Sequence, residues 1–257
     1  MSEDTTPAFA RPQIARLTLS DVSDSLYAGW RDFSRAPLFG LFFSGFYVVS
    51  GLVLTLVGAG GFVWTLMLSL GFPLVAPFAA VGLYEVSRRL GEGEPLHWKS
   101  VLGVVWAERG RQLPWIGAIL VIIFLFWSFF AHMSFAMFLG RMTLINMTTS
   151  FEMLYTPTGL AMVAFQILVG GLTALLTFSL TVVSMPLLLE KDADFVTAML
   201  ISMDAFKTNT GVLLAWAAFI VAALALGMAP LFLGLFLILP VLGHATWHLY
   251  KRTLITP

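Results

Sequence analysis

The chain has 257 residues, of which 59% are hydrophobic and only 11% are charged. A soluble domain carries about 25% charged residues on average, so this chain could not cover a water-facing surface. The composition therefore indicates a lipid bilayer as the solvent. The formal net charge is zero and no basic, aromatic-rich patch is present, so nucleic acid is not an expected partner.

The lack of cysteine excludes several kinds of site. With no Cys, the chain forms no disulfide, thiolate nucleophile, Cys-zinc site or Cys-ligated iron–sulfur cluster. Any metal would need His, Met or carboxylate ligands. The first 36 residues contain acidic residues and no apolar core, so we expect them to remain attached and cytoplasmic rather than to act as a signal peptide.

Six apolar runs are long enough to cross a bilayer as helices, which takes about 20 residues each. They lie near residues 37–57, 62–84, 113–138, 159–189, 211–226 and 229–250, with short turns predicted at residues 58–61 and 227–230. The fourth run is longer than a bilayer requires. We therefore expect tilt or a kink there, at Gly170, Gly171 or Pro186.

The positive charges predict how the chain is threaded. If the N-terminus is cytoplasmic, 13 of the 14 Lys and Arg residues fall on the cytoplasmic side, and only Arg141 falls outside. The positive-inside rule therefore places both termini in the cytoplasm. The expected location is a bacterial inner membrane, crossed several times.

A polar stretch with helical apolar spacing precedes each pair of spans. These stretches predict three amphipathic helices lying on the cytoplasmic face. Thr18 and Asp21 are spaced as a capping box for the first, Pro95 suits the first turn of the second, and Asp192 is a candidate cap for the third. Each stretch ends in an acid three residues before a base, a spacing that puts both on one helix face. The pairs are Asp32 and Arg35, Glu108 and Arg111, and Asp204 and Lys207.

The ends of the first and third pairs of spans also align. In both, a proline is followed by an aromatic residue seven positions later and by two basic residues. These are Pro77, Tyr84, Arg88 and Arg89 in the first pair, and Pro240, Trp247, Lys251 and Arg252 in the third. The pattern predicts three copies of one unit, an amphipathic helix followed by a helical hairpin, over residues 18–89, 95–190 and 191–252. Together they form one membrane domain, residues 18–252, after a flexible N-terminal segment, residues 1–17. Ordinary loop helices without a repeat are the alternative.

The residues before the first span resemble a known family. Trp30 to Phe33 and Pro37 to Gly40, followed by six spans, are similar to bacterial integral membrane proteins grouped as a domain of unknown function. The resemblance extends over about residues 11–252. Some members of that family are labelled as cytochrome c oxidase subunits. The resemblance implies a membrane fold but no activity and no site residues.

The oxidase label can be tested against the histidines. At 1.5 Å per residue, His132 lies about 28 Å above the cytoplasmic end of its span and His244 only about 10 Å above it. The two cannot bind one haem iron from both sides. The label therefore fits an accessory or assembly subunit and not a catalytic one.

Two histidines four residues apart, His244 and His248, share a helix face, as a two-His metal site requires. No glutamate lies between them as in a zinc protease, and no further ligand is evident. In the repeat alignment Glu85 takes the position of His248. We expect a structural hydrogen bond between His248 and Glu85, or contact with the membrane interface. Metal or haem binding and a proton relay are the alternatives.

A second candidate metal site lies toward the outside. Imidazole and thioether groups suit Cu(I), and one His and several Met residues follow one another there. They are His132, Met133, Met137, Met142, Met147 and Met153. Methionine more often fills irregular packing, and only Met133 and Met137 share a helix face cleanly, so packing is the expected role.

The remaining signals favour a protein without covalent chemistry. No catalytic motif is present, and no charged residue lies inside a span away from its ends, so we expect neither an enzyme nor a charge-coupled pump. The fourth run has a polar stripe that can hydrogen-bond neighbouring helices. It consists of Gln166, Thr173, Thr177, Ser179, Thr181 and Ser184.

We expect a scaffold or an accessory component of a membrane complex, such as a respiratory one, that contacts other membrane proteins through small residues. Gly40 with Ser44 and Ala218 with Ala222 have the four-residue spacing that permits close helix contact. A transporter or pore for a neutral or lipidic substrate is one alternative, and copper or haem handling on the periplasmic side is another. No cofactor is expected, and no small-molecule substrate can be identified from the sequence.

Overall fold

The structure, a computed structural model, describes residues 11–56, 62–139 and 156–255. Apart from two very short strands, the regular structure of these residues is entirely helical. The elements are β1 (Gln13–Ile14), α1 (Leu19–Arg35), α2 (Pro37–Leu56), α3 (Phe62–Glu92), α4 (Trp98–Glu108), α5 (Leu113–Leu139), α6 (Pro157–Thr181), α7 (Ser184–Glu190), α8 (Phe195–Thr208), α9 (Thr210–Met228), α10 (Leu235–Thr253) and β2 (Leu254–Ile255). The turn expected at residues 58–61 lies outside the described residues.

Three of the described segments are long and apolar enough to cross a membrane: Leu113–Phe138, Pro157–Glu190 and Thr210–Met228. A fourth is added if α1 and α2, which meet at a bend of 101°, count as one broken span. The chain is thus a helical, multi-pass membrane protein. Helices α2, α3 and α10 lie at the other predicted spans, with 20, 31 and 19 residues, and a total of six spans stays a prediction.

Side-chain caps fix where several helices begin. The Asp21 carboxylate accepts a hydrogen bond from the Thr18 backbone N–H at 2.8 Å, as the capping-box spacing predicts. Helix α8 differs from the expectation, because Asp194 and not Asp192 is its cap and accepts from the Thr197 N–H at 2.8 Å. Helix α4 begins only at Trp98, so Pro95 precedes the helix.

The fourth apolar run is interrupted near its C-terminal end. Helix α6 ends at Thr181 and α7 begins at Ser184. Pro186 lies in the first turn of α7, where no N–H partner within the helix is needed, whereas in an unbroken helix its missing N–H would remove a hydrogen bond. The Ser202 hydroxyl accepts from the Val183 N–H at 3.1 Å and donates to the Ser179 carbonyl at 2.8 Å. The break is therefore held by a side chain of α8, and α6 continues through Gly170 and Gly171 without interruption.

The turn between α9 and α10 lies later than the sequence suggested. It occupies residues 229–234, so α10 begins at Leu235 and not at residue 229. Leu231 and Phe232 adopt positive φ angles of 52° and 65°, a region that is costly for side chains other than glycine. A Cβ on Gly234 would lie 2.8 Å from Gly227 Cα, so these two glycines allow the backbone segments to approach closely.

The described helices fall into three units in sequence, namely α1–α3, α4–α7 and α8–α10. Each unit begins with one of the short helices α1, α4 and α8. Helix α1 packs extensively against α10, α4 packs against α3, and α8 packs against α6 and α7. Each short helix thus rests on the last long helix of another unit, and the three contacts close a ring. The repeat itself remains a prediction from the sequence pattern.

The first long helix of a unit also packs against the last long helix of another unit, at two of the three places. Helix α5 packs against α3, and α2 packs against α10. At the third place, between α9 and α6, a cavity separates the two helices. Helices α3 and α10, the last long helices of two units, pack against each other, and the rings of Tyr84 and Trp247 stack there with centroids 6.3 Å apart.

The two ends of the described chain are paired. Strands β1 and β2 are antiparallel, with Gln13 opposite Ile255. The Leu17 N–H also donates to Asn209 Oδ1 at 2.7 Å. Backbone groups in residues 11–17 are thus hydrogen-bonded to distant parts of the chain, and the flexible N-terminal segment, residues 1–17, stays a prediction.

Candidate functional site

Helices α1 and α10 are in close contact beside His248, one of the candidate histidines identified in the sequence. A Cβ on Gly29 would lie 2.6 Å from the Ala245 backbone nitrogen, so the two helix backbones nearly touch there. Asp32, one turn further along α1, is buried, and its Oδ2 lies 2.6 Å from His248 Nε2. The partner of Asp32 is therefore His248 and not Arg35, which the sequence spacing predicted.

The second histidine has a different neighbour. His244 is fully buried, and its Nδ1 lies 2.8 Å from the Ser87 hydroxyl of α3. Its Nε2 is buried without a hydrogen-bond partner. His248 contacts Asp32 directly and His244 is linked to the same carboxylate through Ser87, so both histidines lie beside one acid. The described residues nevertheless contain no group of three or more His, Asp or Glu side chains placed to hold a metal ion.

The expected hydrogen bond between His248 and Glu85 also requires correction. The Glu85 carboxylate accepts from Arg88 Nε at 2.8 Å and from Arg89 Nε at 2.6 Å. Both arginines follow Glu85 within one turn of α3, so the acid finds its counter-charges locally. The hydrogen bond to Glu85 holds the pKa of Arg88 above its usual range.

The other two acid and base pairs form contacts beyond their own helices. Glu108 Oε1 lies 2.8 Å from Arg111 Nη1, and Arg111 also pairs with Asp192. Asp204 Oδ1 lies 3.8 Å from Lys207 Nζ, and the other carboxylate oxygen pairs with Arg11. Through Arg111 in the first pair and Asp204 in the second, these pairs therefore join segments that are distant in sequence.

Further polar contacts at the same end of the molecule were not predicted. Glu190 at the end of α7 accepts hydrogen bonds from the Tyr250 hydroxyl and the Lys251 ammonium, both at 2.7 Å. Arg252 Nη1 lies 3.1 Å from Asp21 Oδ1. The charges at the helix ends were visible in the sequence, but which of them meet depends on the packing of α10.

Two buried acids respond oppositely to their surroundings. Burial alone would raise the pKa of Asp32, but the hydrogen bond and the charge of His248 lower it below the ordinary value of 3.8. Burial raises the pKa of Glu108 above 4.5, and Arg111 offsets only part of that effect. The carboxylate of Asp32 is thus stabilised in its charged form and that of Glu108 is not.

The outer His and Met candidates do not form a site in the described residues. His132 Nδ1 lies 2.7 Å from the Ser128 carbonyl of its own helix, while Met133 and Met137 are exposed. Met142, Met147 and Met153 lie outside the described residues. No group of three or more His, Asp or Glu side chains that could hold a metal ion occurs in the parts of the chain that are described.

A large cavity lies between α5, α6 and α9. It has a volume of about 920 Å³ and is open along one side. Its walls are almost entirely apolar, with one residue, Ala76, contributed by α3. The wall residues of the three main helices are Leu120, Ile123, Phe124 and Trp127 of α5, Gly170, Gly171, Thr173, Ala174, Leu175, Thr177, Phe178 and Thr181 of α6, and Leu214, Ala217, Ala218, Ile220 and Val221 of α9.

The polar stripe of the fourth run is mostly satisfied within its own helix. The hydroxyls of Thr173, Thr177 and Thr181, which line the cavity, donate to the carbonyls four residues earlier at 2.8 to 2.9 Å. Gln166 is the exception, since its amide donates to the Ser134 hydroxyl of α5 at 2.8 Å. The cavity wall therefore offers a ligand no free hydroxyl proton from these threonines.

The small residues noted in the sequence have two different roles. Gly40 and Ser44 are used within the chain, since a Cβ on Gly40 would lie 2.9 Å from Pro240 Cβ and Ser44 is buried. Ala218 lines the open cavity and Ala222 is exposed on the same helix. The spacing identified both sets, but only the tertiary structure separates internal contacts from an open surface.

Comparison with known proteins agrees with the membrane fold. Residues 65–190 match the model of a family described as "Predicted integral membrane protein (DUF2189)", which confirms the resemblance to a membrane family of unknown function. The match begins after the residues around Trp30 on which the resemblance was based. No curated protein and no solved structure matches the chain.

Proposed function

We propose that this chain, whose central part matches a family of integral membrane proteins, is a six-span protein of the bacterial inner membrane with both termini in the cytoplasm. It acts without covalent chemistry, as a scaffold or accessory component to which other membrane proteins bind. The single observation that carries this proposal is the ring of contacts among its three units at the predicted cytoplasmic end.

The ring favours a fixed support over a moving carrier. Carriers that alternate between two open states rock one bundle of helices against another around a central site. Here α1 is fixed to α10 through Asp32 and His248, α8 is fixed to α6 and α7 through Ser202, and β1 pairs with β2. Rocking one unit against the next would break these contacts and leave buried polar groups without partners, which is costly.

The short helices also suit a position at the membrane surface. Helix α1 buries Ser25, Gly29 and Asp32 against the rest of the molecule and exposes Tyr27 and Trp30. Aromatic side chains with a polar edge favour the boundary between lipid headgroups and hydrocarbon. This arrangement supports the proposal that the ring lies flat on the cytoplasmic boundary of the bilayer.

Locking the ring tests the scaffold proposal directly. Since the chain has no native cysteine, Asp21→Cys and Arg252→Cys can be joined by a bis-maleimide linker across α1 and α10. The double variant without the linker is the matched control. We expect the linked protein, gently extracted from its own membrane, to retain the same stoichiometric protein partner in native mass analysis. A lone monomer before and after linking would contradict the proposal.

A second function, carriage of a lipidic substrate, is favoured by the cavity between α6 and α9. The two functions differ in their response to the lock. A carrier that must open its cytoplasmic end would lose transport of a fluorescent lipid across proteoliposomes when the linker is added, whereas a scaffold has no such step.

A further inference from the structure

We propose that the cavity between α6 and α9 binds an acyl chain of a glycerophospholipid from the cytoplasmic leaflet. The inference stands apart from the scaffold function, since a resident lipid is compatible with a protein that binds partners and with one that does not. It rests on the position of the cavity in the ring, its length, its wall chemistry and the charge beside it.

The position of the cavity is the first argument. Two of the three first long helices pack directly against the last long helix of another unit, α5 on α3 and α2 on α10. At the third place α9 stands away from α6, and the space between them is the cavity. In a bilayer such a space does not stay empty, because apolar walls without partner atoms lose their dispersion contacts. Lipid is the surrounding medium that can fill it.

The length of the cavity distinguishes a lipid chain from a protein helix. Along α6 it extends from Thr181 to Gly170, about 16 Å at 1.5 Å per residue. That length matches one leaflet, or half of a hydrocarbon layer about 30 Å thick. A transmembrane helix from a partner would need a groove about twice as long.

The depth of the cavity places it in the cytoplasmic leaflet. The lower end of the cavity, at Phe178 and Thr181, lies beside α8. The ring of Phe178 packs edge-on against Phe206 of α8 there, with centroids 6.2 Å apart. Helix α8 belongs to the ring at the proposed cytoplasmic boundary. The cavity therefore begins at headgroup level and extends toward the bilayer centre.

The wall chemistry selects an alkyl chain over a polar ligand. The threonine hydroxyls of the wall already donate within α6, and the other wall residues are apolar. Specific recognition of a polar molecule would need convergent free donors or acceptors. An acyl chain needs only apolar area and a suitable shape.

The charge at the lower end suits a phosphate headgroup. Lys207 follows Phe206 at the end of α8, and its side chain is 66% exposed, with its ammonium 3.8 Å from the Asp204 carboxylate, which also pairs with Arg11. A lysine ammonium at the membrane surface attracts anionic lipids. We therefore infer a preference for an anionic headgroup over a zwitterionic one.

Photolabelling with a defined lipid tests the proposal. The protein is reconstituted in vesicles that contain phosphatidylglycerol or phosphatidylcholine with a diazirine in the acyl chain, and labelled peptides are mapped. We expect label to concentrate in residues 170–181 and 214–221. Uniform labelling of all lipid-facing helices in the wild-type protein would show that lipid only surrounds the protein, and would overturn the proposal.

A filled cavity provides the second test. A Cβ on Gly171 meets no atom within 4 Å, and Ala218 is exposed in the cavity wall, so Gly171→Leu with Ala218→Leu should fill the space without a clash. Gly211→Leu with Ala225→Leu is the matched control, since Gly211 is equally open and neither residue lines the cavity. We expect at least a five-fold loss of label in the cavity for the first pair and none for the second. Equal loss, or no loss, in both pairs overturns the proposal, as does a protein chain released by the first pair in native mass analysis.

The headgroup preference has its own measurement. In Lys207→Gln the ratio of phosphatidylglycerol to phosphatidylcholine label in the cavity should fall at least two-fold, while labelling by phosphatidylcholine stays the same. An unchanged ratio overturns the assignment of Lys207 to the headgroup.

Discussion

Asp32 is a buried carboxylate whose charge is compensated by a histidine from the far end of the chain. His248 lies 216 positions away, and its Nε2 approaches Asp32 Oδ2 to 2.6 Å. A buried acid that keeps its charge needs such a partner, because burial by itself favours the neutral form. The acid was identified in the sequence as half of a local pair with Arg35, and the spacing gave no indication of His248.

Removing this carboxylate should destabilise the fold. We expect Asp32→Ala to lower the free energy of unfolding by about 2 kcal/mol at pH 7, the range for hydrogen bonds to charged groups. Asp24→Ala is the matched control on the same helix, because Asp24 is exposed, and it should change stability by less than about 0.5 kcal/mol. Thermal unfolding in detergent measures both, and equal effects would contradict the buried role of Asp32.

The same pair predicts a pH dependence with a definite sign. Because the pKa of Asp32 is lowered in the folded protein, its contribution is present above the ordinary value of 3.8 and is lost as pH falls through the folded value. The gap between the wild type and Asp32→Ala should therefore narrow below about pH 4. A gap that stays constant as the pH falls would show that the charge of Asp32 contributes nothing.

Glu108 should behave in the opposite way. Its pKa is raised by burial, so the folded state binds a proton more readily and stability falls as pH rises above 4.5. We expect Glu108→Gln to be more stable than the wild type at pH 7, because the neutral amide avoids the cost of a buried charge, with the difference vanishing toward pH 4. Glu92→Gln, an exposed acid, is the control in the same unfolding measurement and should show no such trend.

At the scale of elements, the contact of α1 with α10 depends on one missing side chain. The atoms near a Cβ on Gly29 are backbone atoms of Val241 and Ala245, which cannot rotate away. A Cβ on Gly103 in α4 meets nothing within 4 Å. The contact between α1 and α10 therefore requires a glycine at position 29, whereas the surroundings of Gly103 leave room for a side chain, although both residues lie inside helices.

Matched substitutions should separate these two glycines. We expect Gly29→Ala to destabilise the protein by about 1–3 kcal/mol through overpacking. Gly103→Ala should leave stability unchanged or raise it by about 0.5–1 kcal/mol, since alanine is the better helix former. Thermal unfolding compares them, and accessibility of a cysteine placed at Asp21 reports whether α1 has left α10. Similar stability of the two variants would argue against the close contact.

At the scale of the whole molecule, the ring of short helices and the proposed threading must agree. All three short helices lie on one side only if both termini and the segment before α5 share a compartment. The positive charges predict the cytoplasm for that side. The ring contacts between α1 and α10, α4 and α3, and α8 and α6 give the same grouping without reference to charge.

Single cysteines can test the threading in whole cells. We expect Lys99→Cys in α4 to react with a membrane-impermeant maleimide only after the cells are opened, and Arg141→Cys to react in intact cells. The absence of native cysteine makes the label specific. The reverse pattern would overturn the proposed threading and the assignment of the cavity to the cytoplasmic leaflet.

The sequence could predict much of the element plan and little of the site. Long apolar runs, proline and glycine positions and the cap at Thr18 with Asp21 depend on neighbours within a few residues, so local patterns reveal them. The partner of His248, the cap at Asp194 and the later start of α10 depend on residues or backbone contacts that the linear pattern does not rank. For that reason Glu85 was a reasonable but incorrect choice for His248.

By itself the sequence determined that the chain is helical and embedded in lipid, because hydrophobicity and helical period are properties of each segment alone. Only the tertiary structure decided that the short helices close a ring and that a cavity remains between α6 and α9. It also decided that Gly40 and Ser44 form contacts within the chain and not with another protein. The physical reason is that packing selects among many similar apolar surfaces by shape. Shape arises only when distant segments meet.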